Sequence, residues 1–326
     1  MKVVITGGAG FIGSHVVDAC LSKGYEVTVL DNFSTGRASN LDHVAGQIKL
    51  VECDLTTRGE WEGYVEASDY VIHLAALADI VPSIRNPISY FSSNVTGTLN
   101  VLTAACRGDI QKFVYAASSS CYGLAEDIPT KETSAISPQY PYALTKFMGE
   151  ELVMHWNKVY GLPSLSLRFF NVYGTRSRTS GTYGAMFGVF LAQKLAGAPF
   201  TVVGDGTQTR DFTYVTDVAD AVLAASEADV VGEIMNIGSG QTVSVNRIVE
   251  LMGGEVTHIP KRPGEPDCTF ADITKAQKLL SWSPKVDIVD GVELVLDNID
   301  YWRDAVVWTP SDIKDATQDW FRFLGK

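Results

Sequence analysis

Directly after the apolar run Val3-Val4-Ile5 comes the segment Gly7-Gly8-Ala9-Gly10-Phe11-Ile12-Gly13, with glycines spaced G-x-x-G-x-x-G at Gly7, Gly10 and Gly13. No other stretch restricts the fold as much. A strand that turns at once into a helix needs positive φ at the turn. The helix must also lie close on the sheet, where a Cβ would intrude. A helix starting at this turn aims free N–H groups and the positive end of its dipole at whatever occupies the turn, which suits a phosphate. A second strand, Glu26 to Leu30, ends in Asp31. A carboxylate there accepts both hydroxyls of an adenosine ribose and repels a 2′-phosphate, so the loop and Asp31 together predict NAD rather than NADP. Asp54, after the third strand, is placed against the adenine.

The same alternation continues. Ile48 to Glu52, Tyr70 to Leu74, Phe113 to Ala117 and Ser164 to Phe169 read as strands, and Gly10 to Lys23, Pro82 to Arg107 and Tyr142 to Tyr160 as helices. Strand alternating with helix predicts an α/β fold, a Rossmann-type doubly wound parallel sheet. Residues 1–170 form its NAD-binding domain, with a returning segment around 205–237. Residues 171–326, richer in Gly and Pro, form a smaller C-terminal α/β substrate domain. Trp302, Trp308 and Trp320 near the end read as packing residues, at a subunit contact of a homodimer.

Bulk properties exclude several classes. A net charge of −12 repels polyanions and argues against nucleic acid. No run approaches the ~18 apolar residues of a membrane span, and the start is no signal peptide, so a cytoplasmic location is expected. The five cysteines (Cys20, Cys53, Cys106, Cys121, Cys268) form no C-x-x-C pair, which predicts reduced thiols and no metal site.

Tyr142-Ala143-Leu144-Thr145-Lys146 is Y-x-x-x-K, a spacing that puts both side chains on one helix face. A free tyrosine is only about one part in a thousand phenolate at pH 7, a handicap of roughly 4 kcal/mol for a general base. An ammonium one turn away, beside a cationic nicotinamide, favours the phenolate. A phenolate can then remove a hydroxyl proton while the carbon gives up hydride. Ser118-Ser119-Ser120 ends a strand and brings hydroxyls to the carboxyl edge of the sheet, where ligands of such folds bind.

Together with His73-Leu74-Ala75-Ala76, Arg168-Phe169-Phe170-Asn171-Val172-Tyr173-Gly174, Arg210-Asp211-Phe212-x-Tyr214-Val215-x-Asp217 and Arg262-Pro263-Gly264-Glu265, these segments resemble the extended short-chain dehydrogenase/reductases over nearly the whole chain, and most of all the UDP-sugar 4-epimerases. The resemblance implies Tyr142 as base, Lys146 as its partner and nicotinamide-ribose contact, and Ser118 as hydrogen-bond partner of the reacting oxygen. It adds Phe11, Ile12, Asn32, Leu55, Leu74, Ala75 and Ala76 to the cofactor wall. Ser119, Ser120, Asn171 and Asp79 are placed around the sugar or its phosphate, Arg210 and Arg262 on the diphosphate, and Glu265 on the nucleoside ribose.

Departures from neighbouring groups narrow the chemistry. Dehydratases of this superfamily place an acidic pair where Ser119 and Ser120 stand, and the glutamate usual in the decarboxylases is absent. Leu77-Ala78-Asp79 stands where galactose epimerases often carry a lysine. Thr269 takes the place of a bulky tyrosine and implies room for a 2-acetamido group. Arg178 lies in a loop where uronate epimerases use an arginine, although Asn171 replaces their threonine. The expected function is an NAD-dependent 4-epimerase of a nucleotide sugar, with a UDP-hexose or UDP-N-acetylhexosamine favoured. A net 4-dehydrogenase, GDP-linked or otherwise, a UDP-uronate 4-epimerase and a non-catalytic NAD-sensing protein stand as alternatives.

Overall fold

The structure is a computed structural model that describes residues 1–178 and 186–325. Its first part contains the strands β1 (Lys2–Thr6), β2 (Glu26–Asp31), β3 (Ile48–Glu52), β4 (Tyr70–His73), β5 (Lys112–Ser118) and β6 (Ser164–Phe169). The helices between them are α1 (Phe11–Ser22), α2 (Trp61–Glu66), α3 (Ile80–Arg85), α4 (Pro87–Phe91), α5 (Gly97–Ala105) and α6 (Pro141–Tyr160). The second part contributes β7 (Asn171–Tyr173), α7 (Met186–Leu195), β8 (Phe200–Val203), β9 (Thr209–Arg210), β10 (Phe212–Tyr214), α8 (Val215–Glu227) and β11 (Glu233–Ile237). Then follow β12 (Val243–Ser244), α9 (Val245–Met252), β13 (Val256–Ile259), α10 (Thr274–Leu280), α11 (Ile288–Asp297), α12 (Pro310–Ala316) and α13 (Gln318–Leu324).

Seven strands form one parallel sheet in the order β11-β6-β5-β4-β1-β2-β3, which bears out the doubly wound α/β reading. The winding reverses between β1 and β4, so the loops leaving those two strands diverge and open a crevice at their carboxyl ends. The strands read as continuous apolar runs because helices cover both faces. Val3 and Ile5 of β1 pack on Val16 and Val17 of α1, and Val4 on Val71 and Val101 on the other face.

The chain re-enters this layer late. α8 lays Val218, Ala219 and Val222 into the cluster that holds α1, and β11 pairs along β6. The remaining strands of the second part form only two-stranded pairs, β7 with β10, β9 with β12 and β8 with β13. They surround an aromatic cluster in which Tyr173 stacks on Phe187 at 4.5 Å and Phe190 on Phe200 at 4.9 Å.

One expected helix is broken. The span read as a single helix from Pro82 to Arg107 is α3 and α4 followed by a π turn, Ser92–Thr96, that leads into α5. Pro87 has no N–H and disfavours helical backbone in the residue before it, so Asn86 leaves the helix with φ −134° and ψ 67° and caps the next one. The π turn brings in fully buried Asn94. Its carboxamide accepts from Leu77 N at 2.8 Å and donates to Leu77 O and to Thr145 Oγ1, both at 3.0 Å. The segment leading to Asp79 is thereby pinned to α6.

Candidate active site

Gly7 has φ +70°, and a Cβ on it would lie 2.8 Å from the backbone of Ala75. The loops after β1 and β4 therefore touch at the point where the winding reverses. A Cβ on Gly13 would meet Gly7 O at 2.1 Å. At Gly10 the nearest protein atom is Gly7 O at 3.1 Å, which leaves that backbone bare toward the crevice. Below the loop, buried His73 bonds Thr6 Oγ1 at 2.6 Å and Thr98 Oγ1 at 2.9 Å. Burial lowers its pKa to about 3, so it is a neutral tie between β1, β4 and α5.

Every residue assigned from the sequence to cofactor, catalysis or substrate lies on the wall of one cavity of about 690 Å³. Gly7, Gly10 to Gly13, Asp31, Asn32, Asp54 and Leu55 bound one end, and Leu74 to Ala76 the middle. The Asp31 carboxylate also accepts from Ala9 N at 2.9 Å and Phe33 N at 2.8 Å. Burial raises its pKa, and those backbone donors oppose the shift. Asn32 and Asp54 close local turns, accepting from Ser34 N and Thr56 N.

In the middle of the cavity α6 presents Tyr142 and Lys146 beside the end of β5. Burial raises the Tyr142 pKa. A hydrogen bond with the Ser118 hydroxyl opposes this, and the Asp79 charge adds to it. Burial pushes Lys146 down to about 7 against the pull of Glu150. The Lys146 ammonium lies 4.3 Å over the ring of Tyr115. Ser118 Oγ and Ser120 Oγ are 2.8 Å apart, so the serines form a linked hydroxyl pair.

The far end is made of side chains. Arg210 is nearly buried and donates to Thr209 O at 2.9 Å and Glu265 Oε1 at 3.1 Å. Arg262 Nη1 is 4.0 Å from Glu265 Oε2. Glu265 therefore sits between two guanidiniums and holds both at the wall. Thr269 donates to Asn171 Oδ1 at 2.8 Å and accepts from Asp211 N at 3.2 Å, so its hydroxyl is engaged within the protein. Arg178 is ion-paired with Asp79. Among the described residues, three buried polar atoms on this wall, Ser177 Oγ, Arg178 Nε and Glu265 Oε2, have no hydrogen-bond partner. Burying such groups is costly unless something else satisfies them, which marks the wall as one built for a ligand.

Sequence reasoning missed several wall residues and supports. Tyr140 and Trp320 line the cavity, as does Trp308, so two of the tryptophans read as packing residues face the site. Under the Ser118 loop, Arg168 donates to Glu150 at 2.5 Å and to Tyr122 Oη at 2.8 Å, and Ser166 Oγ donates to the same glutamate. This network fixes α6 against β5 and β6. Strand and helix patterns alone carry no signal for it; a charged Arg168 within the strand Ser164–Phe169 was the only hint.

Among the described residues no group of acidic, His or Cys side chains is arranged to hold a metal ion, and no helix is long and apolar enough to cross a membrane. The glycine cradle and Asp31 fit the pyrophosphate and adenosine of NAD, and Tyr142 and Lys146 fit its nicotinamide riboside.

Residues 3–238 match the NAD dependent epimerase/dehydratase family. A putative UDP-glucose 4-epimerase of Methanocaldococcus jannaschii is 36% identical over 90% of the chain and 97% of its own length. A UDP-N-acetyl-alpha-D-glucosaminuronate decarboxylase of Bacillus cytotoxicus is 30% identical over 93% of the chain and 98% of its own. The crystal structure of UDP-glucuronic acid 4-epimerase from Bacillus cereus, in complex with UDP-glucuronic acid and NAD, superposes with a TM-score of 0.85 at 33% identity, covering 92% of the chain and 99% of that one.

Proposed function

The chain belongs to the NAD dependent epimerase/dehydratase family, and from that premise we propose that it is a nucleotide-sugar 4-epimerase acting on a UDP-hexose or UDP-N-acetylhexosamine. The observation that carries the reading is one cavity with Ser118, Tyr142 and Lys146 in its middle, the glycine cradle at one end and the Arg210–Glu265–Arg262 cluster at the other. A substrate anchored by its diphosphate on planar, permanently charged guanidiniums leaves its sugar free to turn over beside Tyr142. The acidic pair of a dehydratase is replaced by Ser119 and Ser120, and the usual decarboxylase glutamate is missing.

Tyr142 accepts the proton of the C4 hydroxyl while Ser118 bonds the same oxygen. The glycine cradle, Asp31 and Lys146 would hold NAD, which would supply a reversible acceptor for the C4 hydride and a positive charge beside the phenol. Once the keto sugar has turned its other face, Tyr142 returns the proton, and the product is the 4-epimer with no net redox change. The raised Tyr142 pKa means that the resting phenol is protonated, and a positive charge brought beside it would draw the proton off.

Asp79 already neutralises Arg178, so a sugar carboxylate would have to displace it. This favours a neutral hexose over a uronate. The engaged Thr269 hydroxyl leaves the space of the replaced tyrosine, rather than a new hydrogen bond, to receive a 2-acetamido group. We read the protein as a cytoplasmic homodimer. Its cysteines are unpaired, and Ile88, Phe91, Leu99 and Leu144 stand exposed on α4, α5 and α6 as a face a second copy would cover.

Proton NMR of the purified protein with UDP-glucose, UDP-N-acetylglucosamine, UDP-glucuronate and a GDP-hexose tests the reading. Expected is conversion of a neutral UDP-sugar into its 4-epimer without free NADH. Accumulating NADH would establish a net dehydrogenase instead, and turnover of the glucuronate alone would reverse the argument from Asp79.

A further inference from the structure

The C-terminal helix α13 crosses from one part of the cavity wall to the other. From the cofactor side Arg85 of α3 reaches it, donating to Asp319 Oδ2 at 2.6 Å and to Ala316 O, just before the helix, at 3.1 Å. From the substrate side the carbonyl of Pro263 accepts from Trp320 Nε1 at 2.7 Å. Trp320 is 5% exposed, yet its ring forms part of the cavity wall. The Arg262 guanidinium lies 5.3 Å from the centre of that ring, and the Tyr140 ring lies 6.3 Å from it. Tyr140 in turn stacks on Tyr142 at 6.3 Å, with 9° between the rings. A row of side chains therefore runs Tyr142, Tyr140, Trp320, Arg262.

An arginine has several rotatable bonds, and a diphosphate gains most from one already aimed. Glu265 Oε2 approaches the Arg262 guanidinium at 4.0 Å, and the Trp320 indole lies 5.3 Å from it. An indole face under a cation supplies both attraction and orientation. We propose that Trp320 is a positioning residue for the substrate diphosphate, with α13 serving as a strap that aims Arg262 into the cavity and ties that aim to the Tyr140–Tyr142 pair. The proposal rests on the nucleotide-sugar reading above, because it needs an anionic diphosphate at Arg262.

The test compares wild type, Trp320→Ala and Trp320→Phe, each carrying its bound NAD, by calorimetric titration with UDP and with GDP. Turnover kinetics on the sugar identified by NMR are measured in parallel. For Trp320→Ala the Kd of the nucleotide that wild type binds is expected to rise about tenfold, the usual scale of a desolvated cation–π contact. KM should rise in step, while the NAD content of the purified protein stays the same. Trp320→Phe keeps an aromatic face and should recover most of the affinity despite losing the bond to Pro263. A folded Trp320→Ala protein that binds the nucleotide within twofold of wild type overturns the proposal, as does an equal loss in both variants. If Trp320→Ala does not fold, Asp319→Ala, which cuts the tether to Arg85, carries the test: a weaker nucleotide Kd supports the strap, and an unchanged one overturns it. Wild type that binds neither UDP nor GDP would bring down the nucleotide-sugar reading itself, and this inference with it.

Discussion

Around Gly7, Gly10 and Gly13 the cavity wall is bare backbone, held by a seven-stranded sheet; around Arg210, Arg262 and Asn171 it is side chain, carried on a loop and on strands of two or three residues. The first end fits what every dinucleotide shares, a pyrophosphate and a ribose. It does so with groups that mutation can block but not readily re-aim. The second end holds its arginines through Glu265 and Trp320, so its selectivity rests on contacts that single substitutions can change. Where the two meet, Tyr142 and Lys146 stand on the longest helix, whose seat is fixed by the buried Glu150–Arg168 pair.

The largest effect should come from the backbone end. Gly13→Ala would drive a methyl to within 2.1 Å of Gly7 O, with only backbone around it to give way. We expect NAD affinity to fall on the order of a hundredfold, at the upper end of what overpacking costs. The readout is the absorbance of cofactor released from the purified protein, and full retention would break the contrast between the two ends. At the side-chain end, Arg210→Met should weaken UDP binding on the order of tenfold, the scale of one lost charge-assisted hydrogen bond, while bound NAD is kept. Calorimetry with UDP checks this; loss of NAD instead would mean that the ends are not independent.

A further effect concerns the meeting point and depends on pH. Burial takes Lys146 from its ordinary 10.5 down to about 7. At and below pH 7 the folded, cofactor-free chain carries the full cost of burying an ammonium. Between about 7 and 10.5 the unfolded chain binds the extra proton, so stability rises with pH, by up to about 1 kcal/mol per unit. In NAD-stripped protein, Lys146→Met should therefore stabilise most at pH 6 and lose that advantage by pH 10. Urea denaturation across this range would show it, and a pH-independent difference would mean that Lys146 stays charged in the fold.

What could be read from the chain beforehand follows the same division. The glycine cradle and Asp31 fall within contiguous segments whose spacing has a steric reason, so fold class and NAD were legible without coordinates. The substrate wall gathers Asp79, Arg178, Arg210, Arg262 and Trp320 from segments far apart in the chain. Resemblance could nominate the arginines, but the pairing of Asp79 with Arg178 and the use of the Thr269 hydroxyl by Asn171 are facts of packing. Trp320 shows the same limit: it is buried as a packing residue, and nothing local says that its ring also walls a cavity. The helix break at Asn86-Pro87 was visible as a proline, but the apolar pattern on both sides of it masked the break.

The late return of β11 to the sheet bears on how the protein is made. β6, buried along its whole length in the finished fold, has β5 on one side and nothing on the other until Glu233–Ile237 arrives. During synthesis more than sixty residues must leave the ribosome between the two strands. Throughout that interval Ser164–Phe169 presents an unpaired edge of backbone donors and acceptors, the kind of surface on which chains join to one another. Nascent chains stalled anywhere between β6 and β11 should be the ones that aggregate or hold a chaperone, and a fragment cut at the end of β6 would inherit the same exposed edge.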